Sequence, residues 1–161
     1  MTTVRAALAG WVALLLLGLL APLSLGVGGA SVSFWLVPLI AVHLWPRAAR
    51  MDASAALVFA TGVALDYALG LRLGTMGLVL LGWMLVARPD LREDEAMGEL
   101  RLMASFVAGL VVVTVAMALL WRDGGVLAAL WPDALAAAIL FPLVLRLLRL
   151  GGRRDLRAGL A

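Results

Sequence analysis

The chain of 161 residues is 65% hydrophobic and 14% charged, with a mean hydropathy of +1.08. An average soluble domain is about half apolar and about a quarter charged, so lipid is the expected solvent for most of this chain, and its length corresponds to one domain. It has no cysteine, which excludes a disulfide frame, a thiolate metal site and a cysteine nucleophile, and its single histidine, His43, cannot build a histidine-rich metal centre. The net charge of +3 rests on thirteen basic residues, all arginine. They sit at the ends of apolar runs, where they set topology and reach toward headgroups, and do not suggest a nucleic-acid surface.

Residues 6–25 form the first apolar run, broken only by Gly10, Gly18 and Pro22. Arg5 in front and a glycine-rich stretch behind imitate a secretory signal peptide. However, about 20 apolar residues exceed a signal core of about 7–15, so a retained membrane helix is expected. Residues 27–45 read as a kinked or partly irregular second helix, with Pro38 inside and Trp45 at its end. His43 lies near that end and reads as an interfacial histidine bonded to backbone, since no partner is spaced for proton handling. Arg47 and Arg50 make a short basic loop.

Residues 51–70 form the third helix, and the chain turns over 71–73 with Gly70 and Gly74 suited to positive φ. The fourth span is 74–87. Residues 88–101 are the only strongly polar stretch, with Asp90, Glu93, Asp94, Glu95 and Glu99, and read as a solvated, partly helical loop. The fifth span is 102–121, with Trp121, Arg122 and Asp123 at its interface. The sixth is 130–148, with Pro132 at the first helical position and Asp133 complementing the positive end of the helix. A basic tail, 149–161, follows.

The expected fold is therefore all-α, a single polytopic domain of six transmembrane helices. Both termini are expected in the cytoplasm, because that arrangement leaves only Arg72 and Arg122 outside. Five or seven spans would separate the arginine-rich tail from the other basic segments.

The third helix is the informative one. Ala56, Ala60, Ala64 and Ala68 form one row at four-residue spacing; Gly62, Asp66 and Gly70 form another. The rows are offset by two positions, about 200° around a helix of 3.6 residues per turn. Small residues let backbones approach in lipid, so this helix is expected to pack on both sides, inside the bundle. Asp66 is a carboxylate in an apolar run, and such groups have partners. The candidates are Arg72 across the turn, or the backbone N–H groups of the turn itself.

Enzymatic motifs are absent. Gly26, Gly28 and Gly29 lack the strand before and the lysine after that a phosphate loop needs, and Ser31, Ser33, Ser54 and Ser105 lack a base. Asp66 and Asp133 could in principle share a proton and activate water. The surroundings that lipoprotein signal peptidases place around such a pair are missing: Asp66 is followed by Tyr67 and Asp133 by Ala134. No cofactor is expected.

Gly62-x-x-x-Asp66-x-x-x-Gly70-x-x-x-Gly74, followed by an apolar helix, resembles the signature segment of the MreD family of bacterial rod shape-determining proteins. The proline-containing second segment ending at Trp45, and the closing LWPDALAAAILFPLVLRLLR with Pro132 before its helix, are similar to that family as well. The acidic loop is longer than the family pattern, and His43 and Tyr67 have no counterpart in it. The resemblance implies a non-enzymatic scaffold of the cell-wall elongation machinery in the bacterial inner membrane. Its direct partner would be MreC, and through MreC it would reach MreB and the RodA polymerase with its transpeptidase. It also implies a fold similar to the substrate-binding subunits of energy-coupling-factor transporters, which supplies the alternative function of small-molecule uptake. Such a subunit needs convergent polar groups in a pocket, and the outer loops offer only Arg72, Arg122, Asp123 and Asp133. The Ala56/Ala60/Ala64/Ala68 row, or the Gly62/Asp66/Gly70 row, would hold either a helix of this chain or the single membrane helix of MreC.

Overall fold

The computed structural model describes residues 2–27, 30–45, 51–86, 95–121 and 124–158. The chain is mostly helical. Its elements are α1 (Thr2–Gly18), β1 (Ser24–Val27), β2 (Ala30–Ser33), α2 (Pro38–His43), α3 (Met51–Leu69), α4 (Thr75–Val86), α5 (Glu95–Trp121) and α6 (Gly124–Ala158). The Arg47–Arg50 loop, the acidic residues Asp90, Glu93 and Asp94, and Arg122 and Asp123 lie outside the described residues.

α1 ends seven residues before the expected boundary, and Pro22 is the reason. A continuing helix would need the N–H of residue 22 to bond the Gly18 carbonyl, and proline has none. The Ala21 N–H takes that carbonyl instead, at 3.0 Å, and the chain tightens into turns. Where a second helix was expected there is then an antiparallel hairpin, with Ser24 opposite Ser33 and Val27 opposite Ala30. That register leaves two residues, Gly28 and Gly29, as the connection, a pairing that favours tight hairpin turns. The expected all-α class is corrected to this extent. Pro38 does not kink a longer helix but starts α2 at its first position, where its fixed φ suits helix initiation.

α2 has only six residues, and all of them are buried. It sits at the middle of the molecule, against α1, α4 and α6, while α3 packs on α1 and α4, and α5 on α6. Leu36, Val37, Leu39 and Ile40 are the heart of the core, joined by Leu14, Val58, Leu80 and Phe106. α6 is longer at both ends than the span expected for it: it begins at Gly124 and carries Pro132 and Pro142 in its interior.

Two helices are long and apolar enough to cross a membrane, at Gly98–Leu119 and Leu130–Leu147; Val4–Gly18, Ala53–Leu69 and Thr75–Val86 are shorter apolar helices. Outward faces are apolar, with Leu8, Leu16, Val112, Leu119, Ile139 and Leu147 between 53% and 72% exposed. Polar groups lie inside: His43, Ser54, Thr61, Asp66, Thr114 and Asp133 are buried.

Candidate functional site

The α3–α4 turn is built around Asp66. α3 stops at Leu69 because Gly70 enters the left-handed region at φ 65°, a conformation that costs glycine nothing. The Leu71 N–H then reaches back to the Asp66 carbonyl at 2.8 Å, and the Gly70 N–H to the Tyr67 carbonyl at 3.3 Å. This pair of bonds closes the end of α3. Gly74, at φ 93°, turns the chain into α4.

The first N–H groups of α4 have no partner within their own helix. Asp66 supplies it. One carboxylate oxygen accepts from the Gly74 N–H at 2.8 Å and the other from the Met76 N–H at 2.7 Å. The Asp66 side chain is fully buried, and its negative charge lies at the positive end of α4. Arg72 is exposed and makes no ion pair with Asp66 among the described residues. What Arg72 contributes is its carbonyl, which accepts from the Thr75 N–H at 3.1 Å and the Thr75 hydroxyl at 2.7 Å. Of the two partners that sequence offers for Asp66, the backbone of the turn is the one observed.

The two small-residue rows of α3 have different surroundings. Gly62 is buried against α4: a Cβ added there would stand 2.4 Å from the Gly77 Cα. Two backbones meet at this point, and only glycine on α3 permits it. Gly77 in turn lies under the Phe59 ring. Ala56, Ala60, Ala64 and Ala68 are all exposed. The expectation that α3 is packed on both sides is therefore corrected. One side is buried against α4, and the alanine side lies on the rim, because no helix of the described chain covers it.

Asp133 is displaced from the position expected for it. Pro132 lies in the interior of α6 and not at its first position, so Asp133 is well inside the helix and does not face the positive end. It is buried, and it holds the hairpin: one oxygen accepts the Ser33 N–H at 2.7 Å and the other the Ser33 hydroxyl at 2.6 Å. The Phe34 N–H bonds across the hairpin to the Leu23 carbonyl, so by alternation the Ser33 N–H points away from β1. Asp133 satisfies that free edge.

His43 is enclosed by the protein. It is buried among Trp83, Phe106 and Phe141, with ring centroids 5.9, 5.3 and 5.7 Å away. Trp45 is buried too, and its indole N–H donates to the Ser54 hydroxyl at 3.0 Å. Similarly, Trp11 on α1 donates to Thr61 on α3 at 3.0 Å, and the Thr61 hydroxyl donates to the Leu57 carbonyl. Sequence reasoning missed Ser33, Ser54 and Thr61 as partners. Hydroxyl residues in apolar helices are the available signal, but it does not identify the tryptophan or aspartate each one meets.

Chemically, this arrangement accepts hydrogen bonds. Both oxygens of Asp66 and both of Asp133 accept hydrogen bonds from protein donors. The described residues contain no group of histidines and carboxylates able to hold a metal ion. Comparison with family models, with curated proteins and with solved structures finds no match.

Proposed function

We propose that this chain is a multi-pass inner-membrane scaffold of the MreD type, with six spans and both termini in the cytoplasm. Its role would be to bind MreC and so join the filament MreB to the RodA polymerase and its transpeptidase. One observation carries the reading: α3 is rigidly held on its Gly62–Asp66 side, while its alanine row is exposed on the other. A membrane helix is recognised by such a surface, since small side chains allow close backbone approach where lipid gives no hydrophobic drive. Apolar outward faces and a buried polar interior support lipid as the surroundings. In a six-span arrangement the second crossing would be made by the hairpin and the buried α2, irregular backbone enclosed by protein, and the short α1, α3 and α4 would share the bilayer with the longer α5 and α6.

Gentle crosslinking in cells, purification in mild detergent and mass spectrometry test this reading. Recovery of MreC with the wall-elongation enzymes supports it. Recovery of a transport ATPase module instead overturns it in favour of small-molecule uptake. Ala64→Leu, which fills the exposed row, should abolish partner recovery at unchanged membrane levels. Val112→Leu, on an exposed face of α5, should leave recovery intact.

A further inference from the structure

α1 and α3 run side by side in the same direction: Trp11 bonds Thr61 at 3.0 Å, and farther along, Gly18 lies against the Leu65 side chain. The hairpin that follows α1 and the turn that follows α3 therefore stand at one end of the molecule. α6 joins them there. Ser33, opposite Ser24 at the base of the hairpin, bonds Asp133, and Trp131 lies just before that aspartate.

This end carries two exposed aromatic side chains with polar tips. Tyr67 is 85% exposed and Trp131 is 56% exposed, whereas Trp45 and Trp83 are buried and Trp11 and Trp35 half-buried. Arg72, between the two positive-φ glycines of the turn, is exposed as well. Asp66 faces the Gly74 and Met76 N–H groups, so it does not draw the guanidinium inward. Next to these residues the exposed surface turns aliphatic. On α6 the face that begins at Trp131 continues with Leu135, Ile139 and Leu143; Ala60 and Ala64 on α3 and Leu78 on α4 are exposed too. From Trp131 to the exposed Arg146, α6 rises about 22 Å. With both side chains reaching outward, that length approaches a hydrocarbon core of about 30 Å.

Amphipathic rings favour the level where acyl chains give way to headgroups, and arginine pairs with phosphate. An aliphatic surface bordered by polar-tipped rings and a cation is complementary to hydrocarbon bordered by anionic phosphate. We propose that Tyr67, Arg72 and Trp131 form a belt that docks this end of the molecule into the phospholipid headgroup layer. The two rings lie at the acyl boundary, and the Arg72 guanidinium meets lipid phosphate. The belt rests on the membrane reading given above and fixes where the bilayer ends on this side.

Tyr67 is the sole tyrosine and His43 the sole histidine, so 13C labelling gives each ring its own signal. The full chain is placed in vesicles of phosphatidylethanolamine and phosphatidylglycerol, floated on a density gradient, and read by solid-state NMR for dephasing of 13C by lipid 31P. The Tyr67 ring should lose intensity to phosphorus, and the enclosed His43 ring should keep it. Failure to float with the vesicles would overturn the membrane reading and the belt with it. Flotation with no dephasing at Tyr67, or with equal dephasing at both rings, would overturn the belt alone. The chain has no cysteine, so nitroxides at Trp131→Cys and Ile139→Cys test the α6 side of the belt. The first should collide with a water-soluble nickel chelate and the second with oxygen only; equal nickel access at both would overturn it. The tyrosine reading needs no variant, so it decides the matter even where a substituted chain fails to insert.

Discussion

Asp66 and Asp133 are both buried carboxylates on apolar helices, and each answers backbone N–H groups that would otherwise lack a partner. They differ in reach. Asp66 serves donors eight and ten residues along its own helical hairpin, whereas Asp133 serves Ser33, one hundred residues away. They also differ in what they hold. Asp66 faces two N–H groups, which can only donate; Asp133 faces one N–H and one hydroxyl, which can do either. The first closes a turn that local sequence already dictates. The second pins a hairpin onto a helix and so fixes how distant parts of the chain meet.

That contrast can be broken by substitution. The largest expected effect is from Asp66→Ala, which leaves the buried Met76 N–H unmet at about 1–3 kcal/mol and the half-buried Gly74 N–H unmet as well. Thermal unfolding in detergent, followed by circular dichroism, should show it as a clear fall in Tm. Gly62→Ala comes next. Its Cβ would overlap the Gly77 backbone, so α3 and α4 must separate, at about 1–3 kcal/mol for an overpacked contact. Ser33→Ala removes one of the two bonds at Asp133 and keeps the N–H, and should cost about 1 kcal/mol. The smallest effect is from Arg72→Ala. With no ion pair to Asp66 it should change stability by less than about 0.5 kcal/mol, as for an ordinary surface site. It should also be additive with Asp66→Ala, and a coupling well above about 0.5 kcal/mol would restore the ion pair that sequence suggested.

Legibility in the sequence follows the same division. The turn of α3 into α4 could be read, because Gly70, Gly74 and Asp66 act on neighbours within ten residues. The apolar helices could be read from their runs, and the existence of a special helix from its small-residue rows. Which row is buried could not, because that depends on Gly77 of another helix. Gly28-Gly29 between short stretches holding valine and serine is a local hairpin signal. High apolar content and Pro38 compete with it by favouring an irregular helix. The place of Asp133 is not legible, because Pro132 has the character of a helix start whereas α6 runs through it. The enclosure of His43 could not be read, because nothing in its own neighbourhood shows that Trp83, Phe106 and Phe141 converge on it from three other helices.

The direct test of the account is to replace both aspartates by asparagine, one at a time, and compare unfolding. At position 133 the Ser33 hydroxyl can turn to accept from the new amide, so stability should fall by less than about 1 kcal/mol. At position 66 the amide –NH2 would face a backbone N–H that cannot accept, and the loss should be about 1–3 kcal/mol. A loss at 133 equal to or greater than that at 66 would contradict the assignment of Asp66 as the two-armed acceptor at the start of α4.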